Sequence, residues 1–341
     1  MNLKALSEKL GLSPTTVSRA LNGYPEVSDA TRRRVLDAAR RYHYRPNTRA
    51  KSLATGRTMS IGHVIPLSTK HEMVNPIFAD FIAGAGETYS RAGYDMSLSV
   101  VRDEDEARVY RELAQNRSVD GIIVHGPRVD DPRIGLLQEL GLPFVVHGRA
   151  SETGAGYSWL DVNNRRAFAR ATRFLLDLGH RRIGLVNGIE TMSFAHRRRL
   201  GHEDALSAAG IGPDPALMRA GEMTEPYGHA AACEMLELDR PPTAFLTSSF
   251  LAAMGVRRAL EDRGLKPGRD VSILTHDDVL SYLANEGDVP LYTAVRSSVR
   301  AAGRRCAEML LDIVTDPDHA PIQEIWEAEL VLGQSTGPAP A

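Results

Sequence analysis

The spacing of apolar positions changes character along the chain. Near the N-terminus it is helical. Leu3, Leu6 and Leu10 share one face, and Gly11 can end the segment in a left-handed conformation. Ser13 offers an N-cap, Pro14 suits the first helical position, and Val17, Ala20 and Leu21 supply the apolar side of a second helix that stops at Asn22-Gly23. Ser28 caps a third helix with Val35, Ala38, Ala39 and Tyr42 on one side, which Pro46 is expected to end. Three short helices, the first two joined by a tight turn, predict a helix-turn-helix unit.

From Ser60 the rhythm becomes that of buried strands. SIGHVIP is a short apolar run, and residues 77–92 read as a helix stopped by Gly93. MSLSVV, GIIVHG and PFVVHG follow as strands separated by helical stretches. The series then repeats: RRIGLVNG echoes TMSIGHVIP, TAFLTSS parallels GIIVHG, and SILTHDD parallels PFVVHG. Alternating β and α segments imply parallel sheets covered by helices, and the repeat implies two similar α/β lobes with a cleft between them. No apolar run of about 18 residues spans a membrane, and MNLKALSEKLG has no signal-peptide core.

Charge sharpens this division. Of 341 residues, the first 57 hold 12 Lys and Arg against 4 acids, a charge of +8, while the remainder holds 29 against 39, a charge of −10. A basic head on an acidic body points to a polyanion partner for the head. The second helix of a helix-turn-helix lies in the DNA major groove. Thr15, Thr16, Ser18 and Arg19 occupy its outer side, where hydroxyls and a guanidinium reach base edges and phosphates. The stretch YRPNTRAKSLATGRT then allows a helix of about two turns from Asn47 to Ala54, too short to hold alone in water. Leu53, an apolar residue among cations, suits insertion between base steps in the minor groove; a flexible basic linker fits the same composition.

LGLSPTTVSRALN, VSDATRRRV, YRPN and the closing SLATG make the head resemble the DNA-binding head of the LacI/GalR family of bacterial transcription regulators. The resemblance implies that Ser13, Pro14, Thr15, Thr16, Ser18, Arg19 and Asn22 face DNA. It also makes 47–54 a hinge helix whose Asn47, Ala50 and Leu53 meet the minor groove. The body resembles that family's effector domain, itself similar to periplasmic sugar-binding proteins. The expected divisions are a helix-turn-helix domain at 1–46, a hinge at 47–58, a two-lobed effector and dimerisation domain at 59–335, and a disordered tail at 336–341.

Ligands of such sheets sit at the carboxyl ends of the strands. Phe78 can stack on a sugar face, His125 ends GIIVH, Arg198 and Gly201 form an R-x-x-G element, Ser249 follows TAFLT, and Asp277 ends SILTHD. Standing alone, Phe78 fits core packing, His125 a structural histidine, and Arg198 and Asp277 an ion pair. The resemblance makes Phe78, His125, Arg198 and Asp277 effector contacts; Ser249, where relatives often have Asn-Asp, keeps a hydrogen-bonding group and is expected as a fifth, with a small sugar as ligand and an α-glucoside or related disaccharide as the expected class. Where many relatives carry Asp after the fourth strand, this chain has Arg149.

Enzyme chemistry lacks its motifs. Gly84-Ala85-Gly86 sits inside a helix with Tyr89 in place of a third glycine, and no GxxxxGK[ST], GxSxG or HExxH occurs. Cys233 and Cys306 have no metal or disulfide spacing. The expectation is a cytoplasmic, sequence-specific regulator and repressor of carbohydrate genes, with no catalytic residue, cofactor or metal. It would bind a palindromic double-stranded operator as a homodimer, and no leucine heptads follow Leu332 to build a tetramer. A sugar receptor without a DNA role is the alternative the basic head opposes, and an enzyme of the same shape is a third.

Overall fold

The computed structural model describes residues 1–21, 23–44, 57–66, 75–150, 156–285, 287–316 and 318–340. The chain divides into two compact units, Met1–Met59 with Arg117–Val119, and Ser60–Asn116 with Asp120–Ala341.

The first unit holds α1 (Leu3–Leu10), α2 (Pro14–Leu21) and α3 (Asp29–Arg41). Its core is Leu6, Leu10, Val17, Ala20, Val27, Val35, Ala38, Ala39 and Tyr44. Gly11 ends α1 at φ 63°, the Ser13 hydroxyl accepts from the Thr16 amide at 3.1 Å, and the Ser28 hydroxyl accepts from Thr31 N–H at 3.3 Å. Helix α3 stops at Arg41, short of Pro46. His43 takes a left-handed φ of 50°, and the amides of His43 and Tyr44 return to the carbonyls of Arg40 and Ala39. That reversal buries Tyr44 rather than Tyr42, whose half-buried ring instead carries the Lys9 ammonium 4.3 Å from its centre.

The second unit contains two six-stranded sheets. The first is built from β1 (Ser60–Pro66), β2 (Asp95–Val101), β3 (Gly121–His125), β4 (Phe144–His147), β5 (Ser158–Val162) and β11 (Gln323–Trp326). Its order is β2-β1-β3-β4-β5-β11 and every neighbouring pair is parallel. The second contains β6 (Ile183–Asn187), β7 (Met218–Ala220), β8 (Ala244–Thr247), β9 (Ser272–Asp277), β10 (Thr293–Arg296) and β12 (Glu329–Val331). It repeats the order as β7-β6-β8-β9-β10-β12, with only β12 antiparallel to its neighbour. The internal repeat in the sequence is therefore a repeat of topology.

The helices are α4 (Pro76–Ala92), α5 (Glu106–Gln115), α6 (Pro132–Glu139), α7 (Asn164–Asp177), α8 (Ser193–Ala208), α9 (Glu225–Leu236), α10 (Phe250–Glu261) and α11 (Val299–Thr315). The chain passes between lobes three times. After β5 it enters α7, which packs on α8 in the second lobe; after β10 it enters α11, which packs on α4 in the first; after β11 it returns to β12. Glycines set the helix spacing. A Cβ at Gly84 would lie 2.0 Å from the Arg300 carbonyl oxygen, and one at Gly201 2.0 Å from that of Arg165. Gly84 and Gly201 of the R-x-x-G element thus bring α4 onto α11 and α8 onto α7.

Residues 336–340 are not a free tail. Ala339 donates to the Leu178 carbonyl at 2.8 Å, Thr336 and Thr293 share a hydroxyl contact of 2.6 Å, and the Gly337 carbonyl meets the buried His180 at 3.1 Å. The amides of Gly337 and Ala339 and the Gly337 carbonyl of this proline-rich segment find partners on the second lobe, which outweighs its weak local propensity.

Gly201→Ala should force α7 and α8 apart and lower stability by about 1–3 kcal/mol, seen as an earlier urea midpoint. Gly86→Ala, where nothing lies within 4 Å of the added Cβ, should leave the midpoint unchanged or raise it through better helix propensity.

Candidate functional site

On α2 of the first unit, Val17 and Ala20 are buried while Ser13, Pro14, Thr15 and Arg19 are exposed and Thr16 and Ser18 half-exposed. The helix thus turns a hydroxyl-rich face with one guanidinium outward, held in register by Ser13 at its start. Not all of the head's charge is presented in this way. Arg34 donates to the Leu10 carbonyl at 2.7 Å and Arg32 to the Tyr24 carbonyl at 2.8 Å, satisfying backbone at a helix end and a turn. Asn22, Asn47, Ala50 and Leu53, with the expected hinge helix, lie outside the described residues.

Between the two sheets of the second unit is a cavity of about 450 Å³, within the size range of small-molecule sites. The carboxyl ends of strands from both lobes open into it, together with the N-terminal turns of α4, α8 and α11. One wall is aromatic and comes from the first lobe. Phe78 and Phe81 on α4 set their rings edge-on to the His125 imidazole, centroids 5.2 and 4.8 Å away, and Phe81 lies 4.5 Å from His147. His125 and His147 are cross-strand partners at the ends of β3 and β4.

The opposite wall is polar and comes mainly from the second lobe. Arg198 is only 6% exposed. It donates through Nε to Asn164 Oδ1 at 2.7 Å and through Nη1 to the Ser248 carbonyl at 2.5 Å, between the rings of Phe168 and Phe194. Asp278 stands 3.4 Å from His276. Asp161 receives Arg149 at 3.0 Å and faces Arg197 at 3.9 Å. Beside the cavity the lobes touch directly: the Arg149 carbonyl accepts from the Ser193 hydroxyl and from Arg197 at 2.5 and 2.7 Å. On another flank Asp80 of α4 accepts the amide and hydroxyl of Ser281 from the loop after β9.

Burial dominates the ionisation of this cavity. It lowers Arg198 to about 10, against the pull of Asp278 and Asp161, so the guanidinium stays charged at neutral pH. Burial raises Asp161, with Arg197 and Arg149 opposing it. For Asp278 burial also raises, but His276, Arg198 and His147 together hold its carboxyl below the ordinary value. His147 falls to about 4 through burial, with Asp278 opposing, and His276 is lowered by burial and by Arg198. The cavity thus offers one buried cation, buried carboxylates, neutral imidazoles and aromatic edges, a set suited to an uncharged polyhydroxyl ligand.

Of the five expected effector contacts, Phe78, His125 and Arg198 line the cavity, while Ser249 and Asp277 do not. Ser249 is the N-cap of α10, its hydroxyl accepting from Ala252 N–H at 3.1 Å. Its neighbour Ser248 supplies the carbonyl to Arg198. Asp277 turns the other way from the cavity, accepting from Val279 N–H at 2.8 Å and pairing with Arg296 at 3.3 Å, and Asp278 takes the lining position. Adjacent residues at a strand end point to opposite sides, so a displacement of one residue exchanges them. Asn164, Asp161, His147 and His276 were missed. His147 was within reach, because PFVVHG ends as GIIVHG does.

A family model described as periplasmic binding proteins and sugar binding domain of LacI family matches residues 58–327, and one described as bacterial regulatory proteins, lacI family, matches residues 3–47. The HTH-type transcriptional regulator AglR of Rhizobium meliloti (strain 1021) is 45% identical over 341 residues, covering 100% of this chain and 95% of its own length. The solved complex of the transcriptional regulator CelR with cellobiose has a TM-score of 0.72 at 29% identity, over 98% of this chain and 99% of that one. The lac repressor dimer bound to operator and the anti-inducer ONPF has a TM-score of 0.84 over 99% of both chains, and at 23% identity it speaks for the fold. Among the described residues no helix is long and apolar enough to cross a membrane.

Burial lowers His63 to about 3 and His147 and His202 each to about 4. The unfolded chain protonates these side chains near pH 6.5 and the folded chain refuses the protons. Stability is therefore full above that pH and lost as pH falls through it, by about 1.4 kcal/mol per pH unit per histidine. Urea unfolding measured across pH 6.5 to 4.5 should show net proton uptake on unfolding near pH 5, and His147→Gln should lower that uptake by about one proton.

Proposed function

Because the chain belongs to the LacI family of bacterial regulatory proteins, and is a DNA-binding transcription regulator that responds to a sugar rather than an enzyme, we propose that it represses carbohydrate genes under control of an α-glucoside or related disaccharide. The observation that carries this reading is the cavity itself. An aromatic wall from one lobe faces a buried Arg198, Asn164 and Asp278 from the other, so one ligand touches both lobes. A pyranose offers apolar C–H faces to Phe78 and Phe81 and hydroxyl pairs to the polar wall. The volume admits a disaccharide, and the 45% identity to AglR over the whole chain is consistent with the α-glucoside class.

In this reading the outward face of α2 reads base edges, with Arg19 as the strongest hydrogen-bond donor. The segment 47–54 links the head to the body, with Asn47, Ala50 and Leu53 toward the minor groove and Leu53 as the wedge. A sugar that changes the relation of the two lobes needs a coupling of about 1–3 kcal/mol to change operator affinity 5- to 150-fold. The working form is a cytoplasmic homodimer on a palindromic site. Edge strand β2 supports it: Met96, Leu98 and Val100 project from one side, 39, 42 and 44% exposed, an apolar stripe that a second copy would cover.

The test uses full-length protein, DNA selected by its own binding, and maltose, trehalose and sucrose as probes. At least one of these sugars should raise the melting temperature and release the selected DNA. Asp278→Asn should weaken that sugar at least tenfold, while Asp277→Asn keeps the response. A sugar response insensitive to Asp278 but lost with Asp277 would reverse the assignment, and no effect of any α-glucoside would remove the ligand class.

Leu98→Glu should shift the protein to monomer in sedimentation at micromolar concentration and lower operator affinity at least tenfold, with the sugar-induced rise in melting temperature kept. An unchanged dimer would place the interface elsewhere.

A further inference from the structure

Behind the aromatic wall three buried groups stand in line. Tyr89 on α4 places its hydroxyl 3.3 Å from His63 Nε2 on β1, and His63 Nδ1 lies 2.9 Å from His125 Nε2 at the end of β3. Tyr89 is 1% exposed and His63 fully buried, so neither reaches solvent. His125 is half-exposed to the cavity. Its Nε2 is occupied by His63, which leaves Nδ1 for a ligand.

From these contacts we infer that Tyr89 and His63 are positioning residues that fix His125 as an obligate hydrogen-bond donor, through Nδ1–H, toward the effector. This deepens the sugar reading above and rests on it for the identity of the ligand. The direction follows from the donors available. A phenol is a far better donor to an imidazole nitrogen than an acceptor from one, and among the described residues the Tyr89 hydroxyl has His63 as its only hydrogen-bond partner. Were the chain to run the other way, the phenolic proton would be buried without an acceptor, at about 1–3 kcal/mol. With Tyr89 donating to His63 Nε2, neutral His63 carries its proton on Nδ1 and donates to His125 Nε2. Neutral His125 then carries its own proton on Nδ1.

Both rings are held neutral by their surroundings. Arg133, itself buried, donates to the His125 carbonyl at 3.1 Å, His147 flanks the ring, and Phe78 and Phe81 close two sides. Burial lowers His125 well below the ordinary histidine value, and His63, His147 and Arg133 push in the same direction. The consequence is selectivity. The ligand must bring an acceptor oxygen to this nitrogen, a hydroxyl or a ring or glycosidic ether oxygen, and a protonated amino sugar cannot place its ammonium there.

The experiment is nitrogen-15 NMR of full-length protein labelled at histidine, without sugar, with the His125 resonances identified by their loss in His125→Gln. Two-bond correlations separate the tautomers. His125 and His63 should both be neutral Nδ1–H forms at pH 7. In Tyr89→Phe the donor is gone and the two tautomers should mix. The affinity for whichever of maltose, trehalose and sucrose binds the wild type should then fall about 2- to 10-fold, following the loss of the competent tautomer, with operator affinity in the absence of sugar unchanged. An Nε2–H tautomer at His125 in the wild type, or an unaltered tautomer in Tyr89→Phe, overturns the relay. If the tautomers are as stated and none of the three sugars binds, the relay stands and the α-glucoside reading fails.

Discussion

The cleft depends on keeping one guanidinium charged on a side chain that is almost wholly buried. Among the described residues Arg198 has no carboxylate within ion-pair distance, only the longer-range pull of Asp278 and Asp161, and a buried charge without a close partner is among the most costly features a fold can hold. Its stabilisation is shared among the Asn164 amide oxygen, the Ser248 carbonyl and two aromatic faces. Asn164 opens the helix that follows the first passage between lobes, and Ser248 follows a central strand of the second sheet. The ligand wall is thus fixed by the same contacts that fix the path of the chain.

Those contacts require close helices. Gly201 lies one turn from Arg198 and lets α8 rest on the backbone of α7, the helix that begins with Asn164. A larger residue there would move the guanidinium and its acceptor apart together. Gly84 and Gly303 do the equivalent for α4 and α11 beneath the aromatic wall, each with a carbonyl of the facing helix in the space of a side chain. Both walls of the cavity therefore stand on helix pairs in backbone contact, which gives the stiffness that lets small ligand contacts register across the lobes.

Much of this was legible in the residues because the signals were local. Ser13, Pro14, Gly11 and Ser28 cap or stop helices wherever they occur, and the alternation of apolar runs with helical stretches set out both sheets and their repeat. The errors came where phase or long-range contact decides. Asp277 and Asp278, like Ser248 and Ser249, differ by one position at a strand end, and only the pleat tells which side chain turns inward. Residues 336–340 look like a free tail until distant partners, the Leu178 carbonyl and the Ser272 hydroxyl, are known. The Tyr89–His63 contact joins a helix to a strand 26 positions apart, and no periodicity reports it.

The three passages between lobes also bear on how the protein is made. The first sheet gains its last strand only at Gln323–Trp326, and α4 gains its partner α11 only at Val299–Thr315. A chain leaving the ribosome therefore cannot complete its first lobe until most of the second has been translated. Such late, non-local closure slows folding and leaves the half-made lobe open to aggregation and to chaperones. A stop before Gln323 would therefore leave the lobe encoded earliest without a strand, while one just after Trp326 would spare it and strip β12 from the second.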